Sequence, residues 1–320
     1  MPGRGAVPRI SIIVAHHNDQ RLEDTLLSVL ENRPRDSEII VAHDGSYSDP
    51  YHLADEVLFV ETSQGASRVS KLNEALYATC APVVHILAEG MRVTDDWCEG
   101  AIHKIQRQQA TAVSPLIRTR TNASVAYAGL DRQLLAKRGL QLLRSSSEER
   151  DVQCAGPVLA AGFFSRRTLL SLGGLLETVD SRVADVDLAL SFQSLGLLCE
   201  VDTGSLVLGN ENIVVAHQDA AVAKDLAGLL AAHEQIPAGI SSGLKGATRR
   251  LLGSLVNPSQ WAPAIAWGIG LANNSLAVVV SDRLNAWTRS QDSQGQIAGG
   301  NLNLFGQERA NDSISHRRAA

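Results

Sequence analysis

The chain has 320 residues, 44% apolar and 20% charged, with a net charge of −5 and a pI near 6.0. That length suits one large α/β domain with an appendage, and the composition is that of a globular protein. The acidic balance excludes a nucleic-acid partner, which calls for a basic face. Cys80, Cys98, Cys154 and Cys199 lie far apart with no C-x-x-C pair, and read as small apolar residues in a reducing compartment.

Met1 to Arg9 leads straight into a strand-like run, without the apolar core of a secretory signal, so the expected location is cytoplasmic. Ile10-Ser-Ile-Ile-Val14 and Glu38-Ile-Ile-Val41 are nearly continuous apolar runs. Such runs predict strands covered on both faces, hence an open, mostly parallel sheet flanked by helices. Between them Leu22, Leu26, Val29 and Leu30 mark one helical face, with Asn18 or Asp19 as cap and Pro34 beyond the end.

The alternation continues. Val57–Val60 and Val83–Leu87 read as strands, with a helix over Ser70–Ala78 between them. A further helix is expected from Thr94, with Asp95 and Asp96 in its first turn, then a strand over Ala112–Pro115. Residues 116–155 carry weak periodicity. Helices are expected over Ser165–Leu172 and Val183–Leu195, and a strand over Leu198–Val201. Domain boundaries are placed at 1–215 for the α/β unit, 216–288 for a helical C-terminal region and 289–320 for a polar, disordered tail.

The segments Ile10-Ser-Ile-Ile-Val-Ala-His-His17-Asn18 and Glu38-Ile-Ile-Val-Ala-His-Asp44-Gly45-Ser46 resemble the opening of family-2 glycosyltransferases. So do Gly65…Arg68…Lys71-Leu-Asn73 and Gly162…Gly173-Gly174…Ala184-Asp185-Val-Asp187-Leu188. The resemblance covers about residues 9–210. It implies a GT-A, Rossmann-like fold and a nucleotide-diphospho-sugar donor. It also implies inverting transfer to a glycan or other hydroxyl acceptor.

By the same resemblance His17, Asn18, Asp44, Gly45 and Ser46 face the nucleoside, Arg68 and Lys71 the diphosphate, and Asp185 is the general base. Each has a plainer reading: a turn for 44–46, a solvated basic turn for Arg68 and Lys71, a helix N-terminal acid for Asp185.

One departure stands out. Where the family has Leu-Asp-x-Asp, whose acids hold Mg²⁺ or Mn²⁺, this chain has Leu87-Ala88-Glu89-Gly90. Only Glu89 remains, kept among the donor-binding residues; its side chain is expected on the face opposite Ala88 if the strand continues, so no metal ligand is assigned. Two readings follow: a glycosyltransferase with a cationic or reduced metal site, or an inactive relative that binds a nucleotide, a glycan or a protein. A dinucleotide oxidoreductase is excluded because no G-x-G-x-x-G opens the first helix. Basic Leu244–Val256 followed by uncharged Trp261–Val280 points to helices packed on the α/β domain, to a homodimer contact, or to peripheral membrane contact through 244–280 at the inner face.

Overall fold

A computed structural model describes residues 7–119, 126–131, 142–145, 153–209, 219–234, 238–253, 261–272 and 275–291. Strand β1 (Ile10–Ala15) is buried along its whole length and pairs in parallel with β2 (Ser37–His43) on one side and β4 (Val83–Leu87) on the other. Helix α1 (Asp19–Glu31) joins the first two, capped by Asn18, whose Oδ1 accepts Arg21 N–H, and buries Leu22, Leu26 and Val29. Strand β3 (Leu58–Glu61) adds to the edge of β2. Helix α2 (Arg68–Ala78) returns the chain to β4, with Ser67 as its N-cap.

Then come β5 (Arg92–Val93), α3 (Glu99–Gln106), β6 (Ala112–Thr119), β7 (Ala126–Leu130), β8 (Leu142–Ser145), β9 (Ala161–Ser165), α4 (Arg166–Ser171), α5 (Ala184–Ser194) and β10 (Cys199–Gly209).

The main sheet runs β3-β2-β1-β4-β9-β6-β10-β5. It is mixed, which corrects the expectation of a mostly parallel sheet. Strand β9 lies antiparallel between β4 and β6, and β5 and β7 are antiparallel too. The inference failed because a continuous apolar run reports burial on both faces, not direction. Gly162, Phe163 and Phe164 in β9 are as buried as anything in β1. Strands β1, β2, β3, β4, β6 and β10 still share one direction, so their C-terminal ends form a single edge.

Other expectations shift by a few residues. The helix expected from Thr94 begins at Glu99. Asp96 adopts a positive φ of 53° and Thr94 donates to Leu206 O, so 94–98 form a turn instead. Strand β10 runs well beyond Val201, through an irregularity between Asp202 and Leu206. Cys98, Cys154 and Cys199 are buried as expected, whereas Cys80 is exposed.

Two cores sandwich the sheet. One lies under α1 and α3 and holds Trp97 and Phe163; the other lies under α2, α4 and α5 and holds Phe164 and Phe192. A third joins α5 to the C-terminal helices: α6 (Ala220–Ala232), α7 (Ile240–Gly253), α8 (Trp261–Ala272) and α9 (Ser275–Gln291). It contains Val183, Val186 and Leu190 from α5, Val222, Leu226 and Leu229 from α6, and Val280 from α9.

This appendage is pinned by charge as well as by apolar contact. Arg283 of α9 pairs with Asp187 of α5, and also donates to Leu172 O (3.1 Å) and Gly174 O (2.6 Å). His233 Nε2 lies 3.3 Å from the same carboxylate. Burial alone would raise Asp187, but Arg283 and then His233 outweigh it and hold the carboxyl below its usual range. Replacing Arg283 by Ala leaves a buried, under-paired carboxylate. Chemical denaturation of Arg283→Ala should show a loss of about 3 kcal/mol or more.

His85 of β4 is buried between Trp97 (ring centroids 4.7 Å apart) and Phe163 (4.0 Å), with no hydrogen-bond partner for either ring nitrogen. Burial pushes its pKa down to about 3. The folded protein therefore keeps His85 neutral while the unfolded chain takes up a proton below the ordinary histidine value. Stability should fall as the pH drops from about 6.5 toward 3, and His85→Phe should flatten that part of a denaturation-versus-pH series.

Candidate functional site

The C-terminal edge of β1, β2 and β4 opens onto the N-terminus of α2, the position where open α/β sheets place ligands. Beyond β2 the chain turns at Asp44-Gly45-Ser46. Gly45 has φ +80°, and a Cβ there would come within 3.2 Å of Glu61 Oε1, so the turn needs glycine. Asp44 Oδ1 accepts from Ser46 Oγ (2.6 Å), and its Oδ2 accepts from Lys71 Nζ (2.9 Å). The Ser46 hydroxyl and then Lys71 hold the Asp44 carboxyl well below the usual range. Lys71 is buried and also donates to His16 O at 2.9 Å.

Around this turn lies an aromatic group. Tyr47 stacks on Phe59 (5.6 Å between centroids, 29° between planes) and lies 5.3 Å from the His16 ring. His16 itself lies 2.7 Å from Asp19. The sequence reading singled out His17, which is exposed, and missed the buried His16 beside it.

One turn before Lys71, Arg68 opens α2. Its Nη2 donates to Leu159 O at 2.8 Å, and its charge acts on both Asp185 and Glu89. Asp185 sits in the first turn of α5 with its Oδ1 shut off from solvent and without a hydrogen-bond partner. Burial pushes its pKa up to about 6, against the pull of Arg68 and nearby backbone N–H groups. Asp187, two residues on, faces the appendage, as helical geometry requires. Thus Asp44 and Asp185, 141 positions apart in sequence, meet cations one helical turn apart on α2. Asp44 is held by Lys71 and Asp185 feels the charge of Arg68, so both acids are coupled to the first turn of α2.

Glu89 is neither in a strand nor facing away. After Leu87 the chain leaves the sheet at Ala88, and Gly90 takes φ +82°. Glu89 Oε2 accepts the backbone N–H groups of His17 and Asn18, both at 2.8 Å. The expected orientation is corrected because it rested on a strand that ends two residues earlier. Asn18 is committed to capping α1 through its side chain.

A divalent cation at the diphosphate wants carboxylate oxygens aimed at it. Ala88 offers none. Gly90 has a backbone that an acidic side chain would strain, and one oxygen of Glu89 serves the α1 entry. Among the described residues no group of three or more His, Cys, Asp or Glu could hold a metal ion. Among the described residues, the Leu87–Gly90 segment does not aim the carboxylates that such a cation needs.

No family model and no curated protein matches the chain. Among solved structures it is similar to the crystal structure of GalNAc-T7 with UDP, GalNAc and Mn²⁺, with a TM-score of 0.56 at 14% identity over 86% of this chain. The fold is GT-A-like. The match takes in 54% of that chain, so the present one spans about half of its length.

The Arg68–Asp185 coupling gives a direct test. Carboxyl-carbon NMR should find Asp185 titrating near pH 6. Arg68→Met should move that midpoint higher, because the favourable charge is lost. An unchanged midpoint would separate the two groups.

Proposed function

We propose that the chain is a glycosyltransferase of the family-2 kind. It would transfer a sugar from a nucleotide-diphospho-sugar to a hydroxyl acceptor with inversion, without a divalent metal. In this reading the nucleoside lies over His17, Asn18 and Asp44-Gly45-Ser46, and the diphosphate lies at the N-terminus of α2 beside Arg68 and Lys71. The acceptor oxygen attacks the anomeric carbon, its proton passes to Asp185, and the nucleoside diphosphate leaves with the bonding electrons. Negative charge on the leaving group develops against the fixed Arg68 guanidinium and the helix N-terminus.

The observation that carries this reading is the state of Asp185. It is a carboxylate with an unpartnered, buried oxygen and a pKa raised to about 6. It sits one step from the cation that shares a helical turn with the Lys71–Asp44 pair. A buried carboxyl group with a raised pKa and one oxygen free of a partner suits a general base. The similarity to a chain crystallised with UDP and GalNAc supports a sugar nucleotide as the ligand class.

A second reading is favoured by the charge balance. Lys71 is neutralised by Asp44, and Arg68 faces both Asp185 and Glu89. The crevice therefore has no surplus positive charge for a diphosphate, as suits a domain that binds a neutral glycan or a protein partner without turnover.

Turnover of a panel of UDP- and GDP-sugars, in chelator and in Mn²⁺, separates the two. The transferase reading predicts metal-independent release of nucleoside diphosphate, with a rate rising through about pH 6 as Asp185 ionises. Asp185→Asn should lower kcat about 10²–10⁴-fold with little change in KM. No binding and no turnover with any donor would support the second reading.

A further inference from the structure

Helices α7 and α8 form an antiparallel pair fused at small residues. A Cβ on Gly243 would lie 2.4 Å from Gly268 O, and one on Gly268 would lie 2.7 Å from the Cβ of Ala247. Farther along, the Arg250 guanidinium covers the Trp267 ring at 3.6 Å. These contacts fix how each helix is turned about its axis. On α8 the covered positions face α6 and α7, which leaves Trp261, Ile265 and Ile269, spaced by four, facing outward. With about 100° per residue and antiparallel packing, Leu244 of α7 falls on the same side of the pair. These four large apolar side chains are between 45% and 67% exposed.

The sequence of this helix pair carries charge of one sign. From Gln235 to Ser281 the sequence contains no Asp or Glu, and its only cations are Lys245, Arg249 and Arg250. Lys245 and Arg249 are exposed on α7. The whole chain carries −5, so the rest of the molecule is more acidic still. A second copy is the poorer occupant, because a twofold interface sets a patch against itself and brings these cations together. An anionic bilayer surface complements both features: apolar side chains with a tryptophan to enter the interface, and flanking cations to meet headgroups.

We infer that the α7–α8 face docks on anionic membrane surfaces, lying in the interface and not spanning it. Helix α8 has 12 residues, about 18 Å of helix against a hydrocarbon core of about 30 Å. Among the described residues no single helix is long and apolar enough to cross a membrane, although the bent pair formed by α8 and α9 meets the length and composition of a broken span. Spanning would break the packing of α8 on α6, where Gly270 approaches Lys224 O, and would draw Arg283 away from Asp187. Surface docking keeps both.

The test is co-sedimentation of the full chain with vesicles of phosphatidylcholine alone, or mixed in equal parts with phosphatidylglycerol. Expected is pelleting with the mixed vesicles that weakens as salt rises. Ile265→Glu combined with Ile269→Glu, both at exposed positions, should lose about tenfold in affinity. So should Lys245→Glu with Arg249→Glu, with thermal unfolding unchanged in each. No pelleting of the wild type, or equal pelleting of wild type and both variants, overturns the proposal. A dimer in sedimentation velocity that Ile265→Glu with Ile269→Glu disperses, without vesicle binding by the wild type, overturns it in favour of a second copy.

Discussion

A single turn of helix, from Arg68 to Lys71, holds the two cations around which the crevice is arranged. Lys71 reaches Asp44 after β2 and the carbonyl of His16 after β1; Arg68 reaches Leu159 O ahead of β9 and acts on Asp185 and Glu89. Four segments distant in sequence are thus brought to one place by charges that would be costly to bury alone. The sheet edge gives the position, and these pairs give the geometry. The same arrangement keeps Asp185 poised, because its desolvation is only partly offset by Arg68.

The absence of acidic residues where a cation would be bound is built into the backbone as well as the side chains. Gly90 has a positive φ and donates its N–H to Arg21 O (3.0 Å) and Thr25 Oγ1 (2.8 Å), and Glu89 caps the entry to α1. Restoring an acid at Gly90 alone would strain that turn. Glu89 serves as a structural acceptor at the α1 entry, and a metal-free mechanism and a non-catalytic binding role are the two readings that accord with that use.

The first half of the fold was legible because β1, α1, β2, α2 and β4 each carry their own period, caps and punctuation. Asn18 caps α1, and Gly173 and Gly174 end the turn after α4 with positive φ. The direction of β9 was not legible, since Phe163 and Phe164 are buried whichever way the strand runs. Neither was the pairing of Arg283 with Asp187, which spans 96 positions and leaves no local pattern. Asp44, Lys71, Arg68 and Asp185 were singled out by a resemblance to a family, and the structure pairs Asp44 with Lys71 and sets Asp185 in the field of Arg68. The orientation of Glu89 was not legible, because the end of β4 is set by a turn whose conformation depends on contacts with α1.

The most direct measurement is a crystal structure grown with UDP in the presence of a chelator and, separately, with Mn²⁺. The account predicts the base beside Asp44 and the diphosphate at the N-terminus of α2 in contact with Arg68, the same in both crystals and with no cation between diphosphate and protein. A manganese ion held by Glu89 and the diphosphate, or a crevice that stays empty at saturating nucleotide, would contradict it.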